Sequence, residues 1–284
     1  LARGGFVTAE DAVHYALELL NKGDDKRSYH AVVLDEGQDF TAEALKLLRA
    51  LVPEQPNDMF IVGDAHQRIY QRKTTLSQCG INIMGRGRKL KINYRTTELI
   101  RRYATALLEG VEIDDLDGGL DGTKDYRSLI LGQAPVVQNC TDLASEGQWI
   151  VQQIQQLQSE GVSLSEICIV ARTNRLCSDY EQILQSEGLP THTLSRQKVD
   201  DRAKDGVRFA TMHRIKGLEF RCVMMAGINE GVVPLRVALQ ASQDVVEQRL
   251  TDLNERALFH VAATRAVRYL YISSHGVPSE YLKN

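Results

Sequence analysis

Short apolar runs alternate with amphipathic helical patterns along most of this chain, and this alternation limits how the chain can fold. The apolar run 31–34 is followed by a helical pattern that Thr41 opens and Pro53 ends, and a second apolar run lies in "DMFIVGD". A strand, a helix and a strand in this order form a βαβ unit, which requires parallel pairing. Because parallel sheets carry helices on both faces, we expect the run 31–34 to be buried on both sides.

The same alternation resumes in the second half of the chain. We predict strands at 136–140, 167–171, 207–212, 222–226 and 269–273, with amphipathic helices between most of them. A further helix of about 15 residues begins at Thr8, since Thr8 and Asp11 have the spacing of a helix cap. Between the halves, the acidic, glycine-rich stretch 110–126 predicts an exposed loop. The predicted fold class is therefore α/β, with parallel sheets flanked by helices.

Charge and cysteine content argue against several classes of protein. The net charge is −3, so a surface for nucleic acid has to be local. The five cysteines form no C-x-x-C pair, which argues against a disulfide framework and a zinc site and favours a reducing, cytoplasmic location. No apolar run is long enough to span a bilayer, so we expect no membrane partner.

Carboxylates crowd the end of the first predicted strand in "HAVVLDEGQDF". Ligands of open α/β folds bind beyond the carboxyl ends of the strands, which is where Asp35, Glu36 and Asp39 fall. Carboxylate oxygens suit a hard cation, and Mg²⁺ at such a site usually bridges to phosphates. A solvated strand end followed by a turn explains the same acids equally well. Taken alone, the pattern leaves both interpretations open.

Polar residues also follow the second predicted strand and recur in a basic stretch further on. Gln67, near Asp64, can donate to a phosphate oxygen and accept from water, although a polar turn explains it as well. In "NYRTTE", Tyr94 offers a face to a base and Arg95 a guanidinium to a phosphate. The alternatives are a half-buried strand residue and a surface charge. The basic segment 86–102 predicts weak, salt-sensitive DNA binding.

Two more candidate sites lie in the last third of the chain. The stretch "ATMHRIKGLEF" places Thr211, His213 and Glu219 after a strand, and its spacing does not fit the i, i+4 pair of helical zinc sites. These side chains suit sugar and phosphate contacts better. Arg265 ends the helical pattern of "LFHVAATRAVRYLYIS", where a lone arginine also fits an ordinary helix C-terminus.

The order of these stretches is more specific than any one of them. D-E-x-Q-D, G-D-x-x-Q-x-I-Y, N-Y-R-T-T, T-M-H-x-x-K-G-L-E-F and V-A-x-T-R-A resemble, in that order, motifs II to VI of the superfamily-one DNA helicases of the UvrD/Rep/PcrA type. The resemblance extends over nearly the whole chain. It implies RecA-like sheets of the P-loop NTPase type. It also implies an ATP-dependent motor that uses Mg²⁺ and acts on single-stranded DNA or on junctions of single and double strands.

The resemblance implies a role at the nucleotide for most motif residues. Asp35 would hold Mg²⁺, and Glu36 would polarise the attacking water. Gln67 would contact the γ-phosphate. The other implied contacts are adenine stacking by Tyr94, arginine fingers at Arg95 and Arg265, a cofactor-binding position at Gly217 and a ribose contact at Glu219.

On the DNA side, the resemblance implies that Tyr70, Thr211 and His213 lie toward the single strand. Two residues after Tyr70 the family usually has a tryptophan that stacks on a base, and Arg72 stands there instead. Because an arginine can also stack, Arg72 stays a DNA-binding candidate.

The phosphate-binding loop of the family is missing from this sequence, since no G-x-x-x-x-G-K-[ST] occurs in it. We therefore expect residues 1–88 to be the C-terminal part of a first RecA-like domain and residues 89–284 to be a complete second one. The large inserted subdomain of the family would be reduced to residues 195–206. The missing N-terminal half of the motor is then a partner, and the chain alone is expected to hydrolyse little ATP.

Two other functions remain open at this point. One is a helicase-like scaffold or nucleic-acid-binding module without catalysis, which would need neither Glu36 nor two finger arginines. The other is a metal-dependent nuclease that uses Asp35, Glu36 and Asp39. The order of the motifs favours the helicase over both.

Overall fold

Helices and strands alternate along the described part of the chain. The computed structural model describes residues 8–22, 29–67, 75–110, 113–114, 119–121, 126–195 and 200–282. Its helices are α1 (Ala9–Asn21), α2 (Ala42–Ala50), α3 (Glu98–Ala106), α4 (Leu143–Ser159), α5 (Asn174–Ser186), α6 (Arg236–Leu239) and α7 (Val245–Ala263). Its strands are β1 (Val32–Leu34), β2 (Met59–Ile61), β3 (Ile92–Asn93), β4 (Ile113–Asp114), β5 (Leu120–Asp121), β6 (Arg127–Ser128), β7 (Val136–Cys140), β8 (Ile167–Ala171), β9 (Thr191–Thr193), β10 (Val207–Thr211), β11 (Phe220–Met225) and β12 (Ala266–His275).

Contacts divide the chain into two compact units. Unit 1 comprises Leu1–Lys89 and Glu112–Gly122, and unit 2 comprises Leu90–Val111 and Thr123–Asn284. Each unit contains parallel strands together with helices, so the predicted α/β class is confirmed. Among the helices within the described ranges, none is both long and apolar enough to cross a membrane.

In unit 1, the predicted strand, helix and second strand form in the expected order. β1 pairs in parallel with β2, with Leu34 opposite Ile61, and α2 lies between them in sequence. Leu45 of α2 belongs to the same buried cluster as Leu34. The helix expected near the start forms as α1, where Thr8 and Asp11 cap each other's backbone N–H. The βαβ prediction is therefore confirmed.

The expectation that the run 31–34 is buried on both sides is wrong for this structure. Val33 is 76% exposed and its register partner Phe60 is 64% exposed, whereas Leu34 is buried. Side chains alternate between the two faces of a strand, and the cluster around Leu34 covers one face of this two-stranded sheet. The other face, centred on Val33 and Phe60, is called here the open face of unit 1.

Unit 2 is built on a six-stranded sheet with the order β7-β12-β11-β8-β10-β9, in which every neighbouring pair is parallel. β8 is buried along its whole length, as its unbroken apolar sequence predicts. The core joins Ile154 of α4, Tyr180 of α5 and Phe209 of β10. The five strands predicted for this half of the chain correspond to β7, β8, β10, β11 and β12.

The chain between β10 and β11 runs back along the sheet of unit 2. It leads from the carboxyl edge, formed by the carboxyl ends of the strands, to the amino edge, formed by their amino ends. Because β10 and β11 both run parallel to β8, the carboxyl end of β10 and the amino end of β11 lie at opposite edges. Residues 212–219 make this crossing through turns rather than through an α-helix. They are called here the return segment, which starts next to Thr211 and ends at Glu219.

Part of the connection predicted to be a loop is folded. The stretch 110–126 contains β4 and β5, which pair antiparallel, and most of its remaining residues lie outside the described ranges. The prediction of an exposed loop is therefore wrong for β4 and β5. Strands this short are held by backbone hydrogen bonds between two segments, which leave no apolar period in the sequence.

A wholly buried arginine fixes the short segment that precedes β10. The guanidinium of Arg208, on β10, donates to the backbone carbonyls of Asp201 (2.8 Å), Lys204 (2.8 Å) and Gly206 (2.5 Å). It also pairs with the Asp200 carboxylate at 3.2 Å. A buried charge is tolerated when its donors are satisfied in this way. Residues 200–206, called here the anchored segment, are the end of the stretch 195–206 that was predicted to replace an inserted subdomain.

Replacing Arg208 with leucine is expected to lower the free energy of unfolding by about 3–5 kcal/mol, because Asp200 and three backbone carbonyls would lose their buried donor. Chemical denaturation followed by circular dichroism measures this change. The matched variant is Arg221→Leu, which removes a partly exposed partner of Glu166 and should cost less than about 1 kcal/mol. Equal losses in the two variants would contradict the role assigned to Arg208.

Candidate functional site

The acids at the end of β1 lie in a strained turn. Glu36 has left-handed backbone dihedrals, φ 52° and ψ 42°, a conformation that costs a residue other than glycine roughly 1–3 kcal/mol. The carboxylate of Asp35 accepts a hydrogen bond from the Glu36 N–H at 2.8 Å and so holds the turn. Backbone strain of this kind persists only where the surrounding contacts fix the residue.

Gln38 connects the two strand ends of unit 1. Its side chain is buried, its Nε2 donates to the carboxylate of Glu36, and its Oε1 accepts from the Asp64 N–H at 3.0 Å. Gly63 permits this approach, since a Cβ there would lie 2.8 Å from Oε1 of Gln38. No role was predicted for Gln38. The signal that could have found it is an amide, able both to donate and to accept, inside D-E-x-Q-D.

Asp64 extends the same network to Gln67. Nε2 of Gln67 donates to Oδ2 of Asp64 at 2.8 Å, and Oδ1 of Asp64 accepts from the His66 N–H at 3.0 Å. Two of the predicted site residues of unit 1, Glu36 and Gln67, therefore belong to one hydrogen-bonded chain. Its members, Glu36, Gln38, Asp64 and Gln67, are called here the acid–amide network.

Asp35 and Glu36 offer oxygen ligands but no closed metal cage. Within the described ranges, no group of three or more His, Cys, Asp or Glu side chains is arranged to hold a metal ion. Mg²⁺ is usually bound by one or two carboxylates together with waters and substrate phosphates, so Asp35 suits it as a partial ligand.

A turn in unit 2 presents the predicted aromatic and basic pair. Oδ1 of Asn93 accepts from the N–H groups of Arg95 (2.8 Å) and Thr96 (3.1 Å). The hydroxyl of Thr96 donates to the carbonyl of Thr264 at 3.1 Å, which fixes the turn to the C-terminal end of α7. Tyr94 is 76% exposed, so its ring has a free face for stacking on a planar group.

Arg95 and Glu219 form an ion pair within unit 2. Nε of Arg95 lies 2.6 Å from Oε1 of Glu219, and both side chains are partly exposed. Gly217 lies two residues before Glu219 and has φ +78°, the left-handed conformation that favours glycine. The structure thus brings Arg95 into contact with Glu219, and Gly217 forms part of the turn that precedes Glu219.

Arg265 is placed differently from an extended arginine finger. It is 2% exposed, and its Nε donates to the carbonyl of Val261, in the last turn of the preceding helix α7, at 3.1 Å. Cations at a helix C-terminus are stabilised by the carbonyls of the last turn, which explains this orientation. The backbone carbonyl of Arg265 accepts from the Phe220 N–H at 3.1 Å, so the residue lies near the start of β11.

The candidates of unit 2 lie at two different edges of its sheet. Thr211 ends β10 at the carboxyl edge, whereas Glu219 and Arg265 stand directly before β11 and β12 at the amino edge. The rule that α/β folds bind ligands at the carboxyl ends of their strands therefore covers the acids of unit 1 and Thr211. The rule does not apply to Glu219 and Arg265, because their place at the amino edge depends on where β11 and β12 begin.

Thr211 borders a cavity of about 250 Å³ at the carboxyl edge. Its hydroxyl accepts from the Arg214 N–H at 3.3 Å, and both residues line the cavity together with the first residue of α5, Asn174. His213, in the same turn, is half-buried. The other two DNA-binding candidates, Tyr70 and Arg72, lie outside the described residues.

Glu98, at the start of α3, was not predicted and holds this part of unit 2 together. Its carboxylate accepts from Arg101 and Arg102, both at 2.7 Å, and from the Ser128 N–H at 2.7 Å. The hydrogen bond from Arg101, aided by those from Ser128 and Arg102, outweighs burial and lowers the pKa of Glu98 from 4.5 to about 2.

Three arginines of the basic segment 86–102 are already ion-paired inside the chain. Arg101 and Arg102 pair with Glu98, and Arg95 pairs with Glu219. Electrostatic binding to DNA depends on cations that neutralise phosphates. The segment therefore offers less charge to DNA than its sequence predicts.

Parallel sheets flanked by helices, with an acid–amide network beyond one pair of strands and an aromatic–arginine turn in the second unit, define an α/β protein. Comparison with known families is more specific. The model of the UvrD-like helicase C-terminal domain matches residues 88–204 and 193–276, and that of the UvrD/REP helicase N-terminal domain matches residues 3–77. The chain belongs to the UvrD-like DNA helicases, and the predicted resemblance is confirmed.

Relatives with assigned names are DNA helicases. A probable DNA helicase of Mycoplasma pneumoniae is 26% identical over 278 residues, which is 90% of this chain and 47% of the relative. The mitochondrial ATP-dependent DNA helicase HMI1 of Saccharomyces cerevisiae is 29% identical over 200 residues, 66% of this chain and 27% of the relative. PcrA of Bacillus subtilis is 33% identical over 81 residues, 28% of this chain and 10% of the relative. The chain thus spans less than half the length of each.

Among solved structures, the C-terminal domain of a possible DNA helicase from Lactobacillus plantarum aligns with a TM-score of 0.46 and 18% identity. The alignment covers 67% of this chain and 92% of that domain.

Replacing Glu98 with glutamine is expected to lower the free energy of unfolding at pH 7 by on the order of 2 kcal/mol. Because the pKa of Glu98 is lowered by folding, its contribution is present above pH 4.5 and is lost as the pH falls toward 2. The variant should therefore lose less stability than the wild type over that range, as measured by denaturant unfolding at a series of pH values.

Glu230→Gln is the matched control, because Glu230 pairs with Arg236 at the surface, and its effect should stay within about 0.5 kcal/mol. Acid unfolding curves of Glu98→Gln that run parallel to those of the wild type would refute the assignment.

Proposed function

We propose that this chain is the C-terminal part of a cytoplasmic, ATP-dependent DNA helicase, with residues 1–88 in a first RecA-like domain and residues 89–284 forming the second. The open face of unit 1 supports this proposal, since a complete parallel sheet would cover Val33 and Phe60 with helices. The chain also spans only 47% of its Mycoplasma pneumoniae relative. All five cysteines are free thiols, in keeping with a reducing compartment.

The acid–amide network is the observation that carries the proposal, because it fixes the carboxylate of Glu36 in a position suited to catalysis at a phosphate. Glu36 stands in a strained conformation and is held by Gln38, so its oxygens are fixed before substrate arrives. In the proposed site, Glu36 orients the water that attacks the γ-phosphate and receives its proton. Mg²⁺, when bound, would neutralise phosphate charge, and Asp35 would be its protein ligand.

Gln67 is the proposed sensor of the terminal phosphate in unit 1. Its amide donates to the carboxylate of Asp64, which also accepts from the His66 N–H, and the backbone N–H of Asp64 donates to Gln38. A change in the hydrogen-bond partner of Gln67 would therefore alter the contacts of Asp64 and, through Gln38, those of Glu36. The phosphate cradle itself would come from a segment outside this sequence, since the chain contains no Walker A motif.

In unit 2, the nucleotide contacts are proposed for Tyr94, Arg95 and Glu219. Tyr94 would stack on adenine with its exposed face. Arg95 and Glu219 now neutralise each other, and nucleotide binding would separate them, with Arg95 turning to phosphate and Glu219 to a ribose hydroxyl. Arg265 would have to leave the carbonyl of Val261 to act as a second finger.

The DNA side of the proposal rests on the carboxyl edge of unit 2. Thr211 and His213, together with Tyr70 and Arg72, would contact single-stranded DNA as the motor moves along it. The cavity beside Thr211 includes Arg214 and the N-terminal turn of α5, which are groups that suit a phosphate.

ATP hydrolysis, measured with and without single-stranded DNA, tests the proposed function. The chain alone is expected to turn over little ATP, whereas the same chain extended upstream through its Walker A segment should be active and stimulated by DNA. In the extended protein, Glu36→Gln should lower kcat by about 100-fold or more and leave nucleotide binding in place, because the carboxylate acts on the water rather than on the nucleotide.

The outcomes separate the remaining functions. If the extended protein binds DNA but hydrolyses no ATP, the chain is a helicase-like scaffold. If the short chain already hydrolyses ATP at the rate of the extended one, the proposed source of the phosphate cradle is wrong. Magnesium-dependent cleavage of DNA on a gel would reinstate the nuclease.

A further inference from the structure

An arginine of the anchored segment reaches the residue proposed to bind ribose. Nη2 of Arg202 donates to the backbone carbonyl of Glu219 at 2.6 Å. The guanidinium carbon of Arg202 also lies 5.2 Å from the centroid of the Phe220 ring, within the range of a cation–π contact. Two adjacent residues at the end of the return segment are therefore held by a single side chain.

The side chain of Arg202 is 55% exposed, and a carboxylate of the anchored segment lies beside it. Its Nε lies 3.8 Å from Oδ2 of Asp200, whose Oδ1 pairs with the buried guanidinium of Arg208 at 3.2 Å. The carbonyl of Asp201, next to Arg202, accepts from Arg208 as well. A fixed line of contacts thus runs from the core of unit 2, through Asp200 and Arg202, to the backbone of Glu219.

We propose that Arg202 is a positioning residue that holds Glu219 in the orientation needed to accept a hydrogen bond from the ribose of the nucleotide. The proposal rests on the proposed function, which assigns Glu219 to that ribose. Arg202 acts on the backbone of Glu219, whereas the carboxylate of Glu219 pairs with Arg95 and would be released from that pair toward the ribose. The anchored segment, through Arg202, therefore contributes to binding of the nucleotide.

This arrangement affects binding more than chemistry. Without Arg202, the carbonyl of Glu219 loses its donor and the Phe220 ring loses its cation, so the carboxylate is aimed less well at the sugar. The acid–amide network of unit 1 has no part in these contacts. A ribose contact made equally in ground and transition states changes KM and leaves kcat alone.

The test uses the extended, active protein and compares ATP with 2′-deoxy-ATP and 3′-deoxy-ATP. The wild type should prefer ATP over at least one of the deoxy analogues, and Glu219→Ala should abolish that preference. Arg202→Ala should raise KM for ATP about fivefold, which is the effect of one hydrogen bond, and reduce the preference by a similar factor. Its kcat should stay within about twofold of the wild type.

Two further variants separate positioning from general damage. Arg202→Lys keeps the positive charge and one donor, so it should recover most of the preference for ATP. Arg236→Ala removes an arginine that pairs with Glu230 at the surface, and should leave both KM and the preference unchanged. Thermal unfolding of each variant, with and without ADP, provides a second readout that does not depend on turnover.

The double variant Arg202→Ala, Glu219→Ala shows whether Arg202 acts through Glu219. Non-additivity is expected: once Glu219 is removed, the loss of Arg202 should change KM no further. A preference for ATP that depends on Glu219 but survives Arg202→Ala would overturn this inference alone. A wild type without any preference, or one in which Glu219→Ala has no effect, would instead overturn the ribose assignment and this inference with it.

Discussion

Parallel pairing of the strands is the constraint on which the arrangement of unit 2 depends. It sends each connection back along the sheet, so residues that follow one strand and residues that precede the next are separated by the length of the strands. Thr211 therefore stands at one edge, and Glu219 and Arg265 at the other. The Phe220 N–H, bonded to the carbonyl of Arg265, joins the two segments of the amino edge. The contacts that we propose for unit 2, to DNA at Thr211 and to nucleotide at Glu219, therefore lie at opposite ends of its strands.

Both units prepare charged groups before any ligand arrives, and they do so by different means. In unit 1, backbone strain at Glu36 and the buried amide of Gln38 fix a carboxylate that has no cation beside it in the acid–amide network. In unit 2, Arg95 and Glu219 hold each other. In the proposed function, the first arrangement would preorganise a reactive group, and the second would oppose binding, because a nucleotide would have to replace an existing ion pair.

The sequence predicted the α/β class, the five longer strands of unit 2 and the family, because buried parallel strands and ordered motifs leave clear local patterns. It did not reveal the roles of Gln38, Glu98, Arg202 or Arg208. Each of these acts through partners distant in the chain or through backbone carbonyls, neither of which leaves a period in the sequence. The exposure of Val33 was mispredicted for a related reason, since burial depends on which layers are present and not on the strand alone.

The return segment is held along its length by the core of unit 2, although its residues 212–219 run through turns rather than through a helix. Met212 and Ile215 are wholly buried and pin the segment to the core. A displacement of Thr211 would therefore be transmitted through these buried residues toward Glu219. In a motor, the contact to DNA at one end of the segment and the contact to nucleotide at the other would then be mechanically coupled.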